Sequence, residues 1–512
     1  MNTDAAPQLT LRAIVTGMVL GGVMALSNLY VGLKVGWSLG VTITACILAY
    51  AFFSALKGMI PALQKREFTI LENNMMSSVA SSAGYMTALF ATAVPALYIL
   101  KKETVSPFHL ALWAPAIAFL GVFMAIPMKR QLIDVDELPF PTGIATAETL
   151  TAMHTHGIQA RQKARALAIS AATGAVVGWL REARAKWMPF NLPDGPLMPP
   201  WTIAGQPLSR LSLGLDPSLI LVGAGAIMGM RAAFSLLVSA LVCYAVVGPS
   251  VLNHGWVEPI TAYRTKWALW PGVGLLVASG LTSFFLRWRT IGRAFAGLGK
   301  LLRSAAREKG SADDDRQAPG SWFVAGTLLS GTACVVFGAA FFGIAWWMGV
   351  VAVLATFLLS LVAARATGET DVTPTGAMGK ITQLVFGWVA PADMTTNLMT
   401  ASITGGASIH AADLLTDLKC GHLLGANPRK QVIAQLWGVV AGTAAVLPAY
   451  LLLVNPEEIG SDRWPVPAAQ VWAGVAKVLA KGLAALPAGA REGALVGGAV
   501  GIVLALVEDL VP

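Results

Sequence analysis

Charge is scarce in this chain: of its 512 residues only 12% are Asp, Glu, Lys or Arg and 55% are hydrophobic, whereas an ordinary soluble domain carries roughly 25% charged residues. That balance excludes a soluble enzyme. Cysteine is scarcer still. The four (Cys46, Cys243, Cys334, Cys420) are scattered, three of them within apolar runs, so neither a disulfide framework nor a Cys-x-x-Cys metal site is offered. They read as packing residues. No His-Glu-x-x-His zinc motif occurs. Among the six histidines (His109, His154, His156, His254, His410, His422), His154 and His156 have the wrong spacing for one helical face, where i, i+3 or i, i+4 neighbours meet. No tight structural metal is expected, and any metal should arrive already wrapped in its chelator. The net charge of +9 does not point to nucleic acid, because the basic residues cluster in loops beside apolar runs, as the positive-inside rule produces.

What is abundant is apolar sequence in long blocks. Runs such as Leu11–Leu29, Leu39–Leu56, Ala88–Leu100, Leu110–Pro127, Leu219–Val247, Val324–Val362 and Val432–Val454 approach or exceed the roughly 20 residues that cross a bilayer as a helix. A barrel would instead alternate over segments of about ten residues. The lipid bilayer is therefore the expected surrounding. The N-terminal run, with a single early Arg12 and a direct passage into a Lys-containing motif, reads as a retained span rather than a signal peptide. Gly36-x-x-x-Gly40, Gly225-x-x-x-Gly229 and Gly493-x-x-x-Gly497 have the spacing that lets helix backbones approach closely.

The densest basic cluster, Arg287–Arg316, should be cytoplasmic. Counting spans back from it places Arg161, Lys163 and Arg165 on the same side, then Lys129 and Arg130, then Lys57–Arg66 and the N-terminus; the pair Lys101 and Lys102 falls on the opposite side. The count requires residues 138–155 to enter and leave on the cytoplasmic side. Within that stretch, LPFPTGIATAETL (138–150) carries Pro139, Pro141 and Gly143, which should interrupt a helix. Broken backbone at membrane depth survives only where protein or a water-filled cavity satisfies it. Two forms stay open: a discontinuous or re-entrant helix lining a pathway, and a proline-rich cytoplasmic loop leading into a capped helix.

Two echoes hint at duplication. Ala147-Glu148-Thr149-Leu150-Thr151 resembles Ala412-Asp413-Leu414-Leu415-Thr416, and Pro141-Thr142-Gly143 resembles Pro374-Thr375-Gly376 in a different register. Duplicated halves with interrupted helices are the mark of secondary transporters with a binding site between the halves. Ionisable residues also lie at apparent membrane depth: Lys34, Glu72, Asp371, Lys380, His410, Asp413 and Asp417. Each costs roughly 2.5–3.5 kcal/mol at a helix centre on insertion scales, so such groups face a cavity or a partner.

NLYVGLKVGWSLG (28–40), ENNMMSSVASSAG (72–84), LPFPTGIATAE (138–148), TDVTPTGAMGKITQLVFG (370–387) and ADLLTDLKCGHLLGANPRKQ (412–431), in that order, resemble the signatures of the oligopeptide transporter family. The likeness is greatest to its bacterial members and the yellow-stripe-like branch, and spans about residues 11–508. It implies an all-α polytopic membrane protein of about 12–16 transmembrane helices with discontinuous or re-entrant segments and two pseudo-repeated halves. The expected division is residues 1–286 (broken near 138–150), a basic cytoplasmic loop 287–318, and residues 319–512 (broken near 370–390). The family usually continues beyond the segment matching Glu492–Pro512, so a shortened C-terminal part is expected.

The resemblance further implies proton-coupled import of small oligopeptides or peptide-like metal chelates across a bacterial-type cytoplasmic membrane. No cofactor is expected beyond the coupling proton, with metal present only inside a chelated substrate; a homodimer is one expected assembly. Carried over by motif, the substrate-binding candidates are Asn28, Tyr30, Lys34, Glu72, Asn73, Asn74, Thr142, Gly143, Thr146, Asp371, Lys380 and Gln383, and the proton-coupling candidates are Glu148, Asp371 and Asp413. Lys34 and Lys380 suit a substrate carboxylate; Glu72 or Asp371 suits an ammonium or a cationic complex. The competing class is a membrane-embedded, Mg-dependent prenyltransferase-like enzyme using Asp413 and Asp417, two carboxylates on one helical face. Against it, no second aspartate pair of that spacing lies in an apolar context.

Overall fold

A computed structural model describes residues 7–36, 38, 40–59, 68–155, 157–182, 192, 197–211, 213–228, 230–257, 263, 267–286, 317–461, 463–482, 486 and 488–510. The basic cluster Arg287–Arg316 lies outside the described residues. The protein is an all-α polytopic membrane protein. Among the described residues, eight helices are long and apolar enough to cross a membrane: Leu11–Val35, Ile70–Lys101, Pro107–Val135, Ala233–Asn253, Gly320–Phe342, Trp346–Thr370, Pro428–Leu453 and Ala490–Glu508.

The chain divides into two compact units. One comprises Met1–Gln162 with Leu281–Gly482, and the other Lys163–Gly280 with Leu483–Pro512. In chain order the helices are α1 (Leu11–Val35), α2 (Thr42–Met59), α3 (Ile70–Tyr85), α4 (Ala93–Lys101), α5 (Pro107–Lys129), α6 (Pro141–Thr155), α7 (Gly157–Glu182), α8 (Leu219–Met228), α9 (Met230–Leu241), α10 (Gly248–Asn253), α11 (Leu269–Leu286), α12 (Gly320–Phe342), α13 (Trp346–Thr370), α14 (Thr375–Val389), α15 (Met394–Leu424), α16 (Pro428–Leu453), α17 (Pro467–Lys481) and α18 (Ala490–Leu510). The second unit also holds a two-stranded antiparallel ribbon, β1 (Thr202–Ile203) and β2 (Gln206–Pro207), with Thr202 opposite Pro207.

Local chemistry sets the helix ends. Thr69 and Glu72 form a reciprocal capping box at the start of α3, Asp393 accepts from the Thr395 and Thr396 amides to start α15, and Asn427 caps α16; each supplies an acceptor to otherwise orphaned N–H groups. Of the three Gly-x-x-x-Gly pairs, the last marks a close helix approach, since a Cβ at Gly497 would stand 2.1 Å from the Pro271 carbonyl of α11, and in the first a Cβ at Gly36 would stand 2.9 Å from the Pro467 ring. Gly36 also ends α1 in the left-handed conformation, Gly40 and Gly225 have nothing within 4 Å, and Gly229 lies outside the described residues.

In the first unit the hub is α15. At 31 residues it is long enough to cross a bilayer, roughly 46 Å at 1.5 Å per residue, yet it is too polar to stand among the apolar spans. It is buried along nearly its whole length. Several of its hydroxyls bond to neighbouring helices: Ser402 accepts from Trp113 of α5 at 3.3 Å, Ser408 meets Ser360 of α13 at 3.1 Å, and Thr404 meets Thr382 of α14 at 2.7 Å. Hydroxyl and amide pairs of this kind hold helices together where lipid supplies no hydrophobic drive.

Charged pairs tie helix ends around this hub. Lys129 at the end of α5 reaches Asp134 at 2.8 Å and Gln317 at 3.0 Å, Arg365 of α13 reaches Asp136 at 2.6 Å, and Arg12 of α1 engages Glu72 of α3.

Candidate functional site

Both expected helix interruptions are present, but Gly143, expected to help break the first, is the third residue of the continuous helix α6. After α5 the chain passes through a π-helical turn, Arg130–Val135, leaves helical geometry, and resumes at Pro141, whose missing N–H is no loss in a first turn. After α13 it stops at Asp371 and resumes as α14 behind Pro374. The two helices that follow, α6 and α14, are each 15 residues long, about 22 Å against a hydrocarbon core of roughly 30 Å.

The two interruptions meet. The Phe140 amide donates to the Gly368 carbonyl at 2.9 Å, and the Thr142 amide and hydroxyl donate to the Asp371 carboxylate at 2.8 and 2.6 Å. Asp371 thus caps α6 from a distance of 229 residues in sequence, with its negative charge at the positive end of the α6 dipole. Glu137, Phe140 and Asp371 all carry positive φ, at 48°, 43° and 64°, a conformation that costs a non-glycine residue of order 1–3 kcal/mol and persists where surrounding contacts over-determine it. Gly143 seats α6 on the hub: a Cβ there would stand 2.6 Å from the Thr416 carbonyl of α15, so the start of α6 lies against the turn that carries Asp417.

Thr146 is buried and donates to the Thr142 carbonyl at 2.7 Å. Glu148, by contrast, is exposed on α6. Its supposed counterpart Asp413 is buried in the long α15, so the two echoed segments occupy different settings. Pro141 and Asp371 are exposed as well.

On α1, Asn28 is buried and donates to the Gly84 carbonyl at 3.4 Å. Lys34, near the other end of the helix from Arg12, holds its ammonium 5.8 Å from the rings of both Tyr30 and Trp464. On α3, the buried Glu72 accepts from Arg12, from the Thr10 hydroxyl at 2.7 Å and from the Thr69 amide at 3.2 Å, which ties it to α1. Asn73 donates to the Cys46 carbonyl at 3.3 Å and leaves its Oδ1 without a hydrogen-bond partner. Asn74 accepts from the Cys420 thiol at 3.2 Å, and its Nδ2 has no partner.

On α14, Lys380 is 6% exposed, and among the described residues it has neither an ion pair nor a hydrogen bond. Its Nζ lies back along the interruption, 3.8 Å from where a Cβ on Gly376 would stand. Gln383 is buried, donates to Asn397 and to the Trp472 carbonyl at 3.0 Å each, and leaves Oε1 without a partner.

Asp413 and Asp417, one turn apart on α15, are buried together between α3 and α16. The Ser81 hydroxyl donates to Asp413 Oδ1, and the single amide nitrogen of Gln435 donates to Asp413 Oδ2 at 3.1 Å and Asp417 Oδ2 at 2.7 Å. Ser81 and Gln431 lie within two of the quoted motifs and Gln435 just beyond one, yet none was singled out, because a neutral side chain carries no mark of its own. Tyr85, half-buried at the end of α3, was missed for the same reason; it is close enough to Asp371, Asp413 and Asp417 to feel all three charges. The arrangement therefore joins a capped helix break, a buried ammonium, several buried amides with unused hydrogen-bonding capacity and a buried carboxylate pair on one hub helix.

Comparison with known sequences agrees with this architecture. The profile of the OPT oligopeptide transporter protein family matches residues 8–512. A Saccharomyces cerevisiae protein provisionally assigned as an oligopeptide transporter is 25% identical, covering 99% of this chain and 86% of its own length. The iron-phytosiderophore transporter yellow stripe 1 of Zea mays is 23% identical over 94% of this chain and 76% of its own length. A Haemophilus influenzae protein, also provisionally assigned as an oligopeptide transporter, is 23% identical over 83% of this chain and 70% of its own. Members of this family are transporters and not enzymes, which removes the prenyltransferase alternative for Asp413 and Asp417. With a family profile running nearly from end to end over interrupted helices and a polar hub, the chain belongs to the OPT oligopeptide transporter family.

Proposed function

We propose that this chain is a secondary active importer that carries small oligopeptides or peptide-like metal chelates together with protons, across a cytoplasmic membrane and with its N-terminus in the cytoplasm. The observation that carries the substrate assignment is Lys380. A buried ammonium without an anionic partner is costly, and it is tolerated where a ligand supplies the missing charge. A peptide or an amino-acid-derived chelator brings carboxylates, and the unused Gln383 Oε1, Asn73 Oδ1 and Asn74 Nδ2 match the mixed donors and acceptors of amide groups. Asp371, exposed and held among the described residues only by neutral Thr142 donors, offers a carboxylate to a substrate ammonium or a cationic complex. Glu72 is engaged by Arg12 and is left out of the substrate site.

Transport requires the site to open alternately to either face. The paired interruptions supply the element: α6 and α14 are short, begin at the same junction, and are joined by the Thr142–Asp371 contact, so a rearrangement of one is felt by the other. Broken helices at a shared binding site are the recurring device of secondary transporters.

The test is a counterflow screen in proteoliposomes with tripeptides and iron chelates side by side, run for the native chain, Lys380→Gln and Lys380→Arg. Loss of a charged hydrogen bond of about 1.5–3 kcal/mol should raise KM roughly tenfold or more in Lys380→Gln, with Lys380→Arg less affected. An unchanged KM in Lys380→Gln for every carboxylate-bearing substrate would remove Lys380 from the site.

A further inference from the structure

Three helices of the first unit share a polar seam. From α3 come Asn74, Ser78 and Ser81; from α15, in antiparallel order, Cys420, Asp417 and Asp413; from α16, Gln431 and Gln435. The pairing is regular: Asn74 meets Cys420 at 3.2 Å, Ser78 lies beside Asp417, and Ser81 bonds Asp413. Gln431 donates to the Asp417 carbonyl at 2.7 Å. Gln435 spreads its amide over both carboxylates.

The seam is rich in acceptors and poor in positive charge. Asp413 is 7% exposed and Asp417 1%, and neither makes an ion pair with any described residue. The titratable groups facing the pair are Tyr85 from α3, Cys46 from α2 and Cys420 from α15 itself; α16 offers only Gln431 and Gln435 there. The basic side chains buried on the neighbouring stretches, Lys419 and His410 on α15 and Lys380 on α14, bond to neither carboxylate. Two adjacent carboxylates buried in this way cannot both stay ionised without a compensating cation.

Of their four oxygens, three accept a hydrogen bond from Ser81 or Gln435. The fourth, Asp417 Oδ1, is buried without a partner, and so is the Ser78 hydroxyl. A proton on Asp417 Oδ1 converts that oxygen from an orphaned acceptor into a donor, with the Ser78 oxygen beside it to accept.

We propose that Asp413 and Asp417 together hold one transferable proton, carried on Asp417, with Gln435 as the positioning residue that keeps the two carboxylates in register, and that this is the coupling proton. The proposal rests on the proton-coupled import proposed above and replaces three separate candidates by one pair. Glu148 and Asp371 take no part in it. The step is a simple proton balance: H+ taken up from one face turns one carboxylate of the pair into a carboxyl, and the same group returns to carboxylate when H+ leaves to the other face. No electrons move. The pair reaches the transport machinery through Gly143, whose α6 backbone packs on the Thr416 carbonyl next to Asp417, so a change in charge on the pair acts directly on the start of a broken helix.

Infrared spectroscopy of the full chain in liposomes, in H2O and D2O, reads the proton without needing a substrate. A protonated-carboxyl band is expected near neutral pH in the native chain, lost in Asp417→Asn and in Asp413→Asn. Gln435→Leu should keep the band and move the pH at which it disappears, a displacement that a merely structural role would not produce. Absence of the band in the native chain across neutral pH overturns the proposal, as does its persistence in both aspartate variants. In parallel, uptake of radiolabelled trialanine and of an iron chelate is measured under an imposed pH gradient and in gradient-free exchange. Both aspartate variants should lose gradient-driven accumulation at least tenfold while retaining exchange, and full accumulation in both overturns the proposal. Accumulation that follows a sodium gradient instead, with no carboxyl band, also overturns it. If the native chain moves neither probe, the import reading fails and the infrared result still decides the shared proton.

Discussion

Helix α3 has a buried acid at its beginning and touches two more along its length, and their treatment is opposite. Glu72 receives the Arg12 guanidinium, the Thr10 hydroxyl and the Thr69 amide, so its charge is balanced in place and its oxygens are used in holding α1 to α3. Asp413 and Asp417 receive only a serine hydroxyl and one shared amide, so their charge is not balanced by any described side chain. A buried acid with its own cation is part of the scaffold. A buried acid pair without one has to exchange something with its surroundings, and the smallest cation that restores neutrality is a proton.

Stability should separate the two settings most strongly. Glu72→Gln keeps a residue suited to the capping box but strands the Arg12 charge, and removing one partner of a buried pair costs about 3 kcal/mol or more. Asp417→Asn replaces a group that is neutral when protonated with a neutral isostere and should change stability by less than about 1 kcal/mol. Unfolding in detergent, followed by heat or denaturant for the two variants together, checks the contrast; equal losses would break it. Asp371 lies between these extremes, because it is exposed yet caps α6. Asp371→Ala should cost about 1 kcal/mol, as loss of a helix cap does, with faster hydrogen exchange of the Thr142 amide and its neighbours. The smallest effect is expected at exposed Glu148: Glu148→Gln should stay within about 0.5 kcal/mol and retain gradient-driven accumulation. Loss of accumulation there would move the coupling site from α15 to α6.

The architecture was largely legible from the residues. Apolar blocks marked most spans, and Pro139, Pro141 and Pro374 located both interruptions, since the effect of proline on helices is local, whereas Gly143 was read as a breaker and instead packs α6 on the hub. Thr142 and Asp371 were each singled out, yet nothing local reveals that one caps the other's helix, because that contact joins residues 229 apart. The same limit explains Glu72, which looked like a substrate group until Arg12, a lone early arginine, was found against it. Asp413 and Asp417 were visible as one face of a helix, but their chemistry depends on Gln435, a neutral residue on a different helix. The hub α15 was hidden in another way: its serines, threonines and two histidines lower its hydropathy, although burial among other helices lets it sit at the centre of the unit.

The most direct measurement is proton movement during substrate uptake, read with a pH-sensitive dye in the lumen of liposomes loaded with the native chain, Asp417→Asn or Glu72→Gln. Uptake by the native chain and by the folded fraction of Glu72→Gln should acidify the lumen, while Asp417→Asn should exchange substrate with no accompanying pH change. Equal acidification by Asp417→Asn and the native chain would contradict the assignment of the coupling proton to the buried pair.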